Sequence, residues 1–287
     1  MTDKIEGQEV SEVVVAGVNT AVAVQGDAPD WMADIGAGFE NTDADSFAIP
    51  FLVVLQKMSP MCDEDDPAYV EGAKAGMIFN TVTREMYDGK EGITIIPCSY
   101  RRHFIKWGGR EGAEQGFKGS FTPAEIDQLI AEGQIIEHEG KLLAPIDADG
   151  KVHEKKSDRY SDTREHLVMI VAPDGSTSCA ILALSSTQIK ASKMLMMMLN
   201  QKKVHTPRGA MTPPTFANLV KFTTKSQSND KGTWSGAQFE LDGMVTDNRI
   251  YQEAKAFHAS FVAGEVGADY TKAPSGSGAE EEEAKGF

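Results

Sequence analysis

Residues 92–107 read GITIIPCSYRRHFIKW, and this stretch decides the class of fold. Its β-branched and aromatic residues predict one long strand, and the turn signal YDGK directly precedes it. Shorter runs of the same character predict further strands, separated by Pro, Gly, Asp and Ser. These strands are expected at residues 48–55, 77–83, 166–172 and 179–184, and as a final hairpin of residues 215–224 and 233–241.

Two helices are predicted between the strands. The first begins with Thr122 as N-cap, Pro123 in the first helical position and Glu125 completing a capping box. The second covers residues 185–199, and its core-facing side chains are expected to be Ile189, Met194, Leu195 and Met198. Short strands and few helices predict a mainly β domain: a partly open, five-stranded OB-like barrel with an inserted helix and hairpin, or a β-sandwich.

The acidic residues are concentrated at the two ends of the chain. The formal net charge is −15, yet residues 73–272 carry 24 acids and 25 bases. Residues 1–42 and the tail 273–287 lack a sustained apolar period, so both acidic ends are expected to be disordered. One nucleic-acid-binding domain is therefore predicted over residues 43–272, with a polar insertion at 111–165.

Several classes of protein are not expected. No apolar run reaches the ~18 residues of a membrane span, and no secretory signal is present, which predicts a cytoplasmic protein. Cys62, Cys98 and Cys179 lack the spacing of a disulfide framework or a zinc site. Motifs of nucleotide-binding, hydrolase and metalloprotease sites are also missing, so we expect no enzyme, no metal and no cofactor.

The first basic stretch, residues 100–110, holds four permanent positive charges, three aromatic rings and no acid. Alternate side chains of a strand share a face. Rings stack on bases and cations neutralise phosphates, so the stretch predicts contact with single-stranded nucleic acid. A strand with an aromatic core face and a solvated basic face fits the same pattern. The predicted contacts are Tyr100, Arg101, Arg102, Phe104, Lys106, Trp107 and Arg110.

The second basic stretch, residues 185–231, carries eight bases and one acid. Such an imbalance in an acidic protein favours a polyanionic partner, although a solvated positive helix is also possible. Methionines 194 and 196–198 are interpreted as packing a core or an interface. The predicted nucleic-acid contacts here are Lys190, Lys193, Lys202, Lys203, Lys221, Phe222, Lys225 and Trp234.

The C-terminal tail forms a third candidate site. Four glutamates follow a Gly/Ser linker, and the chain ends in an aromatic residue. The acids can compete with nucleic acid for a basic groove, while the terminal ring and carboxylate can enter a pocket on another protein. A merely solubilising tail would explain the acids but not the final ring. The predicted partner-binding residues are Glu280, Glu281, Glu282, Glu283 and Phe287.

The tail ending in Phe287 resembles the C-termini of single-stranded DNA-binding proteins, in particular those of T7-like phages. The segments IPFLVVLQKMSP (49–60), IIPCSYRR (95–102) and NDKGTW (229–234) are similar to phage proteins of that class. The resemblance implies an OB-type barrel that coats single-stranded DNA during phage replication and recombination. It also implies a tail that recruits a polymerase or helicase/primase. The acidic N-terminal region and the 111–165 insertion depart from the small members of the class.

Two other functions fit the sequence. A phage virion or assembly protein would self-associate and ignore DNA, and the Met-rich helix is compatible with that role. A strand-annealing recombination protein would form rings and pair complementary strands. The choice between DNA and RNA has no local signature, and homo-oligomerisation is left open.

Overall fold

The computed structural model describes residues 37–38, 48–112, 114–230 and 232–272. The fold is mainly β, with several antiparallel sheets, none of which closes in the described chain, so the predicted OB-like barrel is not confirmed. The strands are β1 Leu52–Val54, β2 Ile78–Asn80, β3 Met86–Tyr87, β4 Ile93–Trp107, β5 Phe117–Phe121, β6 Ile136–His138, β7 Lys141–Leu143, β8 Arg159–Val171, β9 Thr177–Ser185, β10 Val204–Thr206, β11 Gly209–Met211, β12 Asn218–Asn229 and β13 Gly232–Met244.

The largest sheet has eight strands in the order β13-β12-β4-β8-β7-β6, with β5 also paired to β4 and β9 to β8. Strands β4 and β8 form its centre and pair from Thr94–Val171 to Trp107–Arg159. Residues 159–165, at the end of the predicted insertion, are the first half of β8. The register of β4 shifts between Pro97 and Ser99, where a proline removes one ladder donor.

The described residues also form three α-helices: α1 Pro123–Ala131, α2 Ile189–Gln201 and α3 Asn248–Val262. The capping box of α1 is confirmed: Thr122 Oγ1 accepts from the Glu125 backbone N–H, and Glu125 Oε2 accepts from the Thr122 N–H. Helix α3 was not predicted from the sequence. None of the helices in the described part of the chain has the length and apolar character needed to cross a membrane.

The large sheet is covered on both faces. Helix α2 packs through Leu195 and Leu199 in one core cluster, and α3 packs through Ala254 and Phe257 in the other. Neighbouring residues of β8 alternate between the two clusters, as the two-residue period of a strand requires. Each large apolar side chain buried in this way stabilises the fold by about 1.5–3 kcal/mol.

Strands β12 and β13 form a long hairpin that extends beyond the rest of the sheet. Only Val220–Phe222 pair with β4, so the distal part is a two-stranded arm. Two buried side-chain amides fix its base. Gln56 bonds to both the N–H and the C=O of Ser235, and Gln188 bonds to the Ser235 C=O and the Ala237 N–H. These two amides bond to backbone N–H and C=O groups of β13, which is the edge strand of the sheet and has no partner strand on that side among the described residues.

Candidate nucleic-acid interface

The first basic stretch lies in β4, as predicted, but its residues are divided between the two faces of the sheet. Arg101 lies 5.0 Å from the ring of Phe261, on the face covered by α3. Tyr100 contacts His166, which hydrogen-bonds to Ser192 of α2 at 2.7 Å on the opposite face. One nucleic-acid strand in a single groove therefore cannot contact all the residues of this stretch.

Three cations of β4 form ion pairs with carboxylates in or beside β8. Arg101 pairs with Glu165 at 2.6 Å, Arg102 with Asp162 at 2.9 Å and Lys106 with Asp158 at 3.3 Å. Burial alone would raise the pKa of Asp162, but hydrogen bonds from Arg102 and Arg164 outweigh it and lower the pKa. The positive charge of this stretch is thus largely neutralised within the domain, and Arg110 lies in the exposed loop that follows.

Glu165 is the centre of a buried polar network on the α3 side. Its side chain is 0% exposed, and it accepts hydrogen bonds from Arg101 and from the Tyr270 hydroxyl at 3.0 Å. Burial raises the pKa of Glu165, whereas Arg101 and Tyr270 oppose that shift. His103 Nε2 lies 3.1 Å from the same hydroxyl. Burial and the Arg101 charge lower the pKa of His103 to about 4, so the ring is neutral at pH 7. The network fixes the last described segment to the sheet.

The structure places two of the predicted stacking rings in the core. Phe222 is fully buried and stacks on Phe239 with ring centroids 5.1 Å apart. Phe104 is 7% exposed and packs with Ile126 and Tyr160. Because neither ring presents a free face, the expectation that they stack on bases is corrected: both are core residues.

The other three predicted rings are partly exposed. Trp107 packs edge-on against Phe117 and Tyr270, and the Tyr100 hydroxyl accepts from Arg164 at 3.1 Å. Trp234 lies on the arm, opposite Gln227. These rings belong to three separate regions of the surface, so they do not form one stacking platform.

The second basic stretch produces a different surface, which we call the α2 surface. Helix α2 buries Ser192, Leu195 and Leu199. Its outer side chains are therefore exposed, and the exposed β10–β11 hairpin follows directly. Asp and Glu are absent from residues 175–229, and none of the cations on this surface pairs with a described carboxylate. The α2 surface consists of Lys190, Lys193, Met194, Met197, Lys203, Arg208 and Met211.

Met194 and Met197 were missed as site residues. Met194 was expected in the core, but the two side chains are 46% and 44% exposed. They lie three residues apart on the side of the helix away from Leu195 and Leu199. That spacing was visible in the sequence, but the side of the helix that packs on the sheet was not.

The remaining predicted contacts lie outside this surface, and Lys221 projects to the other face of the sheet, because Val220 and Phe222 beside it pack in the α2-side cluster. Lys202 donates to the Gly243 carbonyl, Lys203 to the Asn200 carbonyl and Lys221 to the Gly92 carbonyl. Backbone carbonyls do not cancel a positive charge, so these lysines still contribute to the positive electrostatic potential of the domain. Lys225 is exposed on the arm. The predicted partner-binding residues Glu280, Glu281, Glu282, Glu283 and Phe287 lie outside the described residues.

Comparisons with known proteins place the chain in one family. A family model described as "Pam3 phage gp34-like protein" matches residues 19–267. No significant match was found among curated proteins or among solved structures. Within the described ranges, no group of three or more His, Cys, Asp or Glu side chains is arranged to hold a metal ion.

Proposed function

This chain belongs to the family of Pam3 phage gp34-like proteins, and from that premise we propose that it binds single-stranded DNA. In this role it coats transient single strands during phage DNA replication and recombination. It is not an enzyme, and its contact with DNA is through the α2 surface.

The observation that carries the proposal is the α2 surface itself. Lys190 and Lys193 project from one helix next to Lys203 and Arg208, in a region with no acid over residues 175–229. Several cations elsewhere in the domain pair with nearby carboxylates, as in Arg102–Asp162. A cluster of unpaired cations on an acidic protein attracts a polyanion and releases its counterions.

Exposed methionines favour a single strand over a duplex. Met194, Met197 and Met211 are each more than two-fifths exposed among the cations. Soft, flexible thioether side chains can pack against the faces of unstacked bases, whereas a duplex hides those faces. Lys225 and Trp234 lie on the opposite face of the arm and are not part of this contact.

The C-terminal tail has two roles in this proposal. Its four glutamates compete with DNA for the α2 surface, and Phe287 with its carboxylate recruits a replication protein such as a polymerase or helicase/primase. The resemblance to T7-like proteins also implies an OB-type barrel. The binding role is proposed without one, because a helix and a hairpin on an open sheet form the α2 surface.

An assembly or virion protein is the second candidate, and the exposed methionines favour it equally. Apolar groups on an exposed helix are typical of protein contacts as well as of nucleic-acid contacts. A strand-annealing protein would use the same cations but form large rings.

We expect the purified protein to bind fluorescent oligo-dT well ahead of a matched duplex, with RNA as a third ligand. Affinity should fall steeply between about 0.05 M and about 0.2 M salt, by about 0.7 log units per log unit of salt for each phosphate neutralised. Deleting the residues after Ala273 should tighten binding, because the competing acids are removed. A fluorescence titration of both forms measures all three effects.

Two outcomes would contradict the proposal. Absence of oligo-dT binding at low salt, even without the tail, would favour the assembly role instead. Ordered self-association in light scattering would support that role. Equal affinity for duplex and single-stranded DNA would rule out the proposed role as a protein that coats single strands.

A further inference from the structure

A cavity of about 260 Å³ opens beside the start of α2, against the β7–β8 pair. It is smaller than the roughly 300–1,000 Å³ of pockets for drug-sized ligands. A single nucleobase is a suitable occupant, whereas a complete dinucleotide cofactor is not. Its walls include Phe104, Leu142, Tyr160, Ser185, Ser186 and Ile189.

We propose that this cavity receives one base of the DNA strand that lies on the α2 surface. The inference rests on the proposed function and adds a specific pocket to it. Phe104 was predicted as a nucleic-acid contact, but the other cavity residues were not recognised as a site in the sequence, because they come from separate segments of the chain.

The cavity lies between residues of the two basic stretches. Ile189 lines it and is followed directly by Lys190, the first cation of the α2 surface. Asp162 lines it as well and holds Arg102 through two hydrogen bonds. A strand that passes from Lys190 across the mouth of the cavity therefore reaches the Arg102–Asp162 ion pair, and Lys190 supplies a cation for its phosphates.

The chemistry of the walls suits an aromatic heterocycle. Leu142 and Ile189 offer apolar surface to the faces of a base, and Lys106 Nζ lies 5.3 Å from the centroid of the Tyr160 ring, which also lines the cavity. Ser185 forms no side-chain capping bond to the following helix. Its hydroxyl can therefore donate to or accept from the edge of a base, and such dual capacity tolerates different bases.

Lys141 and Arg159 also line the cavity. Lys141 pairs with Glu154, and both oxygens of Asp162 accept from Arg102 and Arg164. The carboxylate in the wall is thus compensated, and a phosphate at the mouth would not meet an isolated negative charge.

Ser186→Trp fills the cavity and gives the sharpest test. Ser186 is exposed and lies at a positive φ of 47°, where a bulky side chain adds backbone strain, so circular dichroism should first show that Ser186→Trp is folded. With the full-length protein, we expect Ser186→Trp to weaken oligo-dT binding about tenfold, the effect of losing one stacked base. Ser186→Ala, which leaves the cavity open, is the matched control and should change affinity less than about threefold.

An oligonucleotide made only of abasic sites separates a base contact from a backbone contact. We expect Ser186→Trp and the unaltered protein to bind this strand equally, because it has no base to insert. Unchanged oligo-dT binding by Ser186→Trp would overturn the cavity proposal while the proposed function stands. Equal weakening on both strands would also overturn it. Absence of oligo-dT binding by the unaltered protein would instead remove the proposed function and this inference together.

Permanganate oxidation of thymines provides a second measurement that needs no variant. Bound oligo-dT should contain at least one thymine that is protected more strongly than the others, because the cavity walls shield it. Uniform reactivity along the bound strand, at saturating protein, would contradict insertion of a base.

Discussion

Reversing the charges of Lys190 and Lys193 together, as Lys190→Glu with Lys193→Glu, is expected to weaken oligo-dT binding roughly 30-fold or more at moderate salt. Both lysines are exposed on the outer side of α2 and pair with no described carboxylate. Each lost phosphate contact should also lower the slope of log affinity against log salt by about 0.7. Fluorescence titration over a range of salt concentrations measures both quantities.

The matched control is the double variant Lys74→Glu with Lys255→Glu. Both of these lysines are exposed, and the pair changes the net charge by the same amount. Lys255 is on α3, across the sheet from α2, and Lys74 is in the loop before β2. The control should lose only a few-fold in affinity. If the two double variants weaken binding equally, DNA responds to overall charge and the α2 surface has no special role.

The second large effect is on stability. We expect Arg101→Met to lower the free energy of unfolding by roughly 3 kcal/mol at pH 7–8, because it leaves the buried carboxylate of Glu165 without its charged partner. Without Arg101, the pKa of Glu165 in the folded state should rise further above its usual 4.5. A raised carboxyl pKa means that the folded state takes up a proton more readily than the unfolded state. The loss should therefore shrink as the pH falls towards about 5.

Two comparisons isolate the buried carboxylate. Arg102→Met leaves Asp162 24% exposed and still paired with Arg164, so it should cost about 1 kcal/mol or less. Adding Glu165→Gln to Arg101→Met should restore much of the stability at neutral pH, since no buried charge remains. Urea unfolding followed by tryptophan fluorescence measures each variant. Similar losses for both arginine variants, without rescue by Glu165→Gln, would contradict the assigned role of Arg101.

The contrast between the two basic stretches shows what the sequence could predict. The β-branched and aromatic pattern of 92–107 correctly predicted strand β4, because that signal is local. The carboxylates that neutralise Arg101 and Arg102 are Glu165 and Asp162, about 60 residues later in the chain. Their positions follow from the β4–β8 register, which no local pattern reveals. In the second stretch, Lys190 and Lys193 of α2 form no ion pair with a described carboxylate, and residues 175–229 contain no acid.

The burial of individual side chains also could not be predicted from local sequence patterns. Phe222 follows Lys221 and precedes polar residues, which is equally typical of a stacking ring and of a core ring. Its partner Phe239 and helix α2 cover it only after the hairpin forms. Helix α3 was missed for a related reason. Its core residues Ile250, Ala254 and Phe257 are spaced for a helix, but exposed polar residues separate them and weaken the apolar signal.

The most direct test of the account is zero-length photocross-linking of the intact protein to oligo-dT that carries 4-thiothymidine, followed by peptide mass spectrometry. The account predicts cross-linked peptides from α2 and the β10–β11 hairpin, the elements that form the α2 surface. It also predicts that excess unlabelled oligo-dT, but not duplex, abolishes them. Cross-links confined to α3 and the opposite face of the sheet, or cross-links that duplex removes equally well, would contradict it.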